Sequence, residues 1–182
     1  FDPTLTDGYF AAMLRARFAH ADAGKLYAAI AAASKIVPQT TRMFWKDIDL
    51  LWLPEACANS ANPAGTAAFY TVTDFMKGWS MPGSNILSIR RWRHKLTQGS
   101  AMDRITPLDC AGALAGWSDT ALRLAGELRA SPAAAGRELA QTLADVEAMA
   151  HLGRYYAEKT WGACDLAMFD HTRRRTDQAG AI

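Results

Sequence analysis

The sequence predicts an all-α fold, a bundle of about six or seven helices with a long C-terminal helix. Three observations carry this. Alanine is abundant while isoleucine and valine are scarce, which favours helix over sheet. Residues 133–171 contain no proline and repeat apolar or small side chains at alternating steps of four and three: Leu139, Leu143, Val146, Ala150, Gly153, Ala157, Thr160, Cys164 and Ala167. That is the spacing of a helical seam whose later part is small enough for close backbone approach. Proline- and glycine-bearing breaks cut the remainder into helix-length pieces.

In chain order, residues 1–8 are a turn-rich lead. A first helix is expected from about Asp7 to Phe18, with Tyr9, Phe10, Met13, Leu14 and Phe18 on one side. Asp22 can cap a second helix carrying Leu26, Tyr27, Ile30, Ala33 and Ile36, ended by Pro38. Residues 41–53 place Phe44, Ile48, Leu51 and Trp52 on one helical face, stopped by Pro54. The polar stretch Glu55–Gly65 is a loop. Residues 66–78 fit a helix ending at Gly78, although Ala67–Phe75 also reads as strand, being aromatic and β-branched. Pro82-Gly83-Ser84-Asn85 is a turn leading into a helix that closes near Gly99.

Thr106-Pro107-Leu108-Asp109 opens the next helix: threonine caps, proline takes the first position, and Asp109 stands where the acid of a capping box would. Its apolar stripe is Cys110, Leu114, Trp117, Ala121, Leu124, Ala125 and Leu128. Ser131-Pro132 begins the long helix, antiparallel to its predecessor, with Gly153 and Gly162 as places where it could bend. A second stripe, Met149, Leu152, Tyr156, Ala163 and Leu166, widens its apolar face. Residues 1–171 read as a single helical domain, and 172–182 as a frayed tail.

Composition bounds the function. The chain has 182 residues and a formal charge of +2, so charge balance does not mark a nucleic-acid surface. The runs Arg90–Lys95 and Arg173–Arg175 read as solvated helix faces or ends. There is no apolar run long enough for a membrane span. The three cysteines, Cys57, Cys110 and Cys164, form neither a zinc motif nor a disulfide framework, and one disulfide stays open. Cys110 and Cys164 fall on apolar stripes and read as buried thiols. Beginning at Phe1 without methionine, the chain reads as processed or as a fragment.

No catalytic, cofactor or metal signature is found. Glu147, His151, Tyr155 and Glu158 share a face of the long helix, which could poise a histidine or hold one metal, or be a solvated face with ordinary helix-spanning pairs. Neither Glu-x-x-His nor His-Glu-x-x-His occurs. Cys57 lies in a loop with no activating neighbour in sequence. The more informative group is aromatic. Trp45, Trp52, Tyr70, Trp79 and Trp92 flank the polar loops, where exposed rings could stack on sugars and buried ones would fill gaps between helices. Trp45-Lys46-Asp47 and Lys77-Gly78-Trp79 are the rims of such a groove.

The segments LRARFAHAD, AAASKIVPQT, DLLWLPEAC and FYTVTDFM, with Ser84–Arg91, Thr106-Pro107 and LGRYYAEKTWGACDLAMFD, resemble helical regions of large secreted bacterial carbohydrate-active enzymes. There a helical module follows a catalytic barrel domain and packs against it. The resemblance implies an accessory or scaffold module, catalytic carboxylates in an upstream domain of the same polypeptide, a carbohydrate partner, and a secreted or periplasmic location. Two other readings remain beside it: a small helical enzyme or ligand-binding domain using the Glu147 and His151 face, and a protein-interaction bundle.

Overall fold

Every residue of the C-terminal seam is buried, from Leu139 and Leu143 through Gly153 to Cys164 and Ala167. The computed structural model describes residues 4–45, 52–59, 69–132 and 136–173. Among the described residues there are seven helices: α1 Asp7–Arg17, α2 Ala23–Ala33, α3 Ile36–Met43, α4 Val72–Lys77, α5 Ile89–Thr97, α6 Pro107–Arg129 and α7 Arg137–Thr172. The fold is all-α. The only strands among the described residues are the two-residue β1 Trp52–Leu53 and β2 Ala58–Asn59, paired antiparallel.

The chain forms two compact units, residues 1–36 with 116–153, and residues 37–115 with 154–182; α6 and α7 each give one end to both. In the first unit, Leu26, Ala29 and Ala33 of α2 meet Ala121, Leu124 and Leu128 of α6 and Leu139, Leu143, Val146 and Ala150 of α7. Leu14 of α1 and Phe18, which follows its last residue, pack against this cluster half-buried. Asp22 caps α2 by accepting from Lys25 N–H at 3.0 Å. Around this core lie exposed ion pairs, among them Lys25–Glu127 at 2.8 Å.

In the second unit an aromatic stack fills the centre. The rings of Phe44 and Phe75 lie parallel with centroids 4.0 Å apart, Tyr156 stacks on Phe75 at 5.9 Å, and Tyr70 meets Phe44 edge-on at 5.2 Å. Such pairs add to the gain from area burial. The first turn of α6 is closed as read from sequence: Asp109 accepts from Thr106 N–H at 2.9 Å, and Thr106 Oγ1 accepts from Asp109 N–H at 3.1 Å. The same reciprocal box, Thr71 with Asp74, starts α4.

Several expectations are corrected. Pro38 does not end α2, which stops at Ala33; it sits in the first turn of α3, where a missing N–H costs nothing. The helix expected over 41–53 is instead the end of α3 followed by β1, with 46–51 outside the described residues. Residues 66–78 resolve the helix–strand ambiguity by using both: Phe69 bridges Ala58, and α4 follows. Residues 60–68 lie outside the description. The long helix starts at Arg137, not at Ser131-Pro132, and is continuous through Gly153 and Gly162. It reaches Thr172, and residues 174–182 of the expected tail are not described. Tyr9, Phe10 and Met13, expected with Leu14 and Phe18 on one side, are exposed. No helix among the described residues is long and apolar enough to cross a membrane.

Candidate functional site

Among the described residues of the second unit three large aromatic side chains are open, Phe69 at 77%, Trp79 at 55% and Tyr155 at 45% exposure, and of these Trp79 alone lines a surface cavity of several hundred Å³. Its backbone is held from several directions. Gly78 closes α4, its N–H donating to Phe75 O at 3.3 Å, and packs close against the Phe44 ring. A side-chain carbon at Gly78 would come 2.6 Å from Phe44 Cε2, so only glycine fits between the core and Trp79. Trp79 O accepts from Trp45 N–H at 2.8 Å, and Met81 N–H donates to Arg42 O at 2.9 Å. Ser80 Oγ donates to Ile86 O at 2.6 Å.

Two surface cavities meet at this tryptophan. One, about 560 Å³, lies between the end of α4 and α5 and is lined by Lys77, Trp79, Ser88, Arg90, Arg91, Arg93, His94 and Lys95. The other, about 590 Å³, lies over the turn 82–85 and includes Ser80, Asn85, Ile86 and Arg104. Trp79, Ser88 and Arg91 belong to both. These volumes fall in the range of small-ligand sites.

The local fold explains the walls. Gly83 and Asn85 take positive φ of 76° and 60°, turning the chain sharply into Ile86. Ile86 bridges Ile105, with Leu87 N–H donating to Ile105 O at 2.8 Å, and this brings Arg104 to the second cavity. Ser88 caps α5 by accepting from Arg91 N–H at 3.4 Å. Ile89 and Trp92 face the core, so the arginines between and after them are left on the open side. Lys95 is paired with Asp103 at 3.0 Å, which lowers the Asp103 carboxyl below the usual range.

The other aromatic candidates separate from Trp79. Trp45 is half-buried and contributes its backbone. Tyr70 and Trp92 are buried at 6% exposure each, filling gaps in the core, and neither lines a cavity at Trp79. Trp52 contributes backbone to β1. Lys46 and Asp47 of the other expected rim lie outside the described residues.

On α7, Glu147 is committed to Arg129, accepting from Nε at 2.6 Å and Nη2 at 2.8 Å, and the guanidinium holds its carboxyl below the usual range. His151 and Glu158 are exposed, and Tyr155 accepts from Lys159 at 2.6 Å. No group of three His, Cys, Asp or Glu among the described residues could hold a metal.

The sequence missed the partner of Cys57. Lys159 Nζ lies 3.3 Å from Cys57 Sγ, donates to Tyr70 O, and sits 5.3 Å from the Phe75 ring centroid. Tyr156 OH donates to Pro54 O close by. These contacts tie the β-hairpin to α7 across a separation of 102 residues, which no spacing rule reaches. All three cysteines are free and buried. Comparison with known proteins returns no match: no family model, no curated protein and no solved structure.

Proposed function

We propose that the chain is a noncatalytic helical accessory module of a glycan-processing protein, with Trp79 as its carbohydrate-contacting side chain. The observation that carries this reading is the exposed Trp79 ring at the meeting point of two cavities, on a backbone fixed by hydrogen bonds to the end of α3. A sugar ring stacks its C–H face on such a platform, and a rigid platform spares the entropy of ordering it on binding. Noncatalytic action is supported by the lining. Among the described residues neither cavity is lined by aspartate or glutamate, whereas glycoside hydrolysis ordinarily needs two carboxylates.

The module reading is also supported by α1. Tyr9, Phe10 and Met13 are 48%, 40% and 55% exposed, which gives the first unit an apolar surface suited to a neighbouring domain of the same polypeptide. The test is calorimetric titration of the chain with neutral and acidic oligosaccharides. Binding to at least one is expected, together with its loss in Trp79→Ala at unchanged thermal stability. No binding by any, or binding indifferent to Trp79, contradicts the reading.

A further inference from the structure

We infer that the Trp79 groove selects acidic saccharides, those whose rings carry carboxylate or sulfate groups. This rests on the glycan reading of the same groove and adds the charge class of its ligand.

The selectivity is electrostatic in origin. Lys77, Arg90, Arg91, Arg93 and Arg104 line the two cavities, and among the described residues none of the five is in an ion pair. Lys95, on the same wall, is offset by Asp103. Between Tyr70 and Thr106 the sequence holds six basic and two acidic side chains, a surplus of four, while the whole chain carries only +2. The positive charge is therefore concentrated at the groove and balanced elsewhere. Low-dielectric walls such as the Trp79 ring strengthen the field of that charge.

A neutral sugar seated there would strip water from guanidinium groups and give no charge in return. A uronate or sulfate group would meet them with charge-assisted, bidentate hydrogen bonds, for which the planar arginine fork is shaped. The capped N-terminus of α5 at Ser88 adds partial charge of the same sign. The open tryptophan face and a bounded pair of cavities favour a saccharide over a nucleic acid, whose electrostatic footprint is an extended basic stripe.

The experiment titrates the full chain with trigalacturonate, with its methyl ester, with neutral galactotriose and with a single-stranded oligonucleotide of matched charge. The acidic trimer is expected to bind at least about tenfold more tightly than its ester and to weaken about tenfold as salt rises from about 50 to about 500 mM. Arg91→Gln and Arg104→Gln, both at exposed positions, should each lower its affinity about tenfold with melting unchanged. Trp79→Ala should abolish binding of acidic and neutral sugars alike. Equal, Trp79-dependent binding of ester and acid overturns the acidic selectivity and leaves the glycan reading standing. Failure of every sugar overturns both. Tighter Trp79-dependent binding of the oligonucleotide assigns the groove to nucleic acid and overturns the proposal.

Discussion

Gly153 of α7 lies directly against Ile36: a methyl carbon on Gly153 would come 2.8 Å from Ile36 Cδ1 and would overlap the Ser118 hydroxyl oxygen. Helix propensity favours alanine over glycine by about 1 kcal/mol, but overpacking a close contact costs about 1–3 kcal/mol. The contact wins because two neighbours, both buried, stand in the way. Gly153→Ala should therefore lower unfolding free energy by up to about 2 kcal/mol. Gly126, in α6 with nothing within 4 Å of its missing side chain, should behave oppositely, Gly126→Ala stabilising by about 0.5–1 kcal/mol. Urea denaturation of the two variants decides it, and equal signs would contradict the account.

Gly78 couples core to groove. Gly78→Ala must push the Phe44 ring out of its 4.0 Å stack on Phe75 or displace the chain that carries Trp79. The expected cost is about 1–3 kcal/mol, accompanied by weaker saccharide binding although Gly78 offers no side chain to a ligand. Thermal melting and calorimetry on one sample measure both effects.

The Thr106–Asp109 box gives a prediction in pH. Its hydrogen bonds from Thr106 hold the Asp109 carboxyl below the usual carboxylate range. A depressed folded value means the stabilisation is present above the unfolded carboxylate pKa and is lost as pH falls through the folded one. Thr106→Ala should cost about 1 kcal/mol at neutral pH and less in acid, with Asp109→Ala non-additive to it. Denaturation midpoints at a series of pH values from neutral to acid test this, an additive pair being the contrary result.

Burial sets the alkaline limit. It pushes Cys110 up to about 11 and Cys164 up to about 12, against an ordinary value of 9.0. Raised folded values give stability that is full below the unfolded thiol pKa and is lost as pH rises through the folded ones. Stability should fall between pH 9 and about 12, and Cys164→Ala should flatten that fall at a cost of about 1–2 kcal/mol near neutrality. Native thiol labelling at pH 8 should be slow and accelerate only with unfolding.

The legible parts of the sequence were those where local chemistry and long-range packing agree. The alternating seam from Leu139 to Ala167 and the box at Thr106 are each written within a few residues of themselves, and the structure keeps both. Pro38 misled because a proline tolerated in a first helical turn looks, in sequence, like one that stops a helix. Trp79 and Trp92 look alike in sequence, and only the packing of α5 buries one and leaves the other open. The basic run Arg90–Lys95 reads as a solvated face until Arg104 and Lys77 are brought to the cavities on either side of it. Lys159 at Cys57 has no sequence signal at all.

The most direct measurement is the indole N–H spectrum of the six tryptophans, titrated with trigalacturonate and assigned by single substitutions to phenylalanine. Trp79 should shift in a saturable way while buried Trp92 stays in place. A saturable shift at Trp92 or Trp117 without Trp79, or a spectrum unmoved at saturating sugar, would contradict the assignment of the groove.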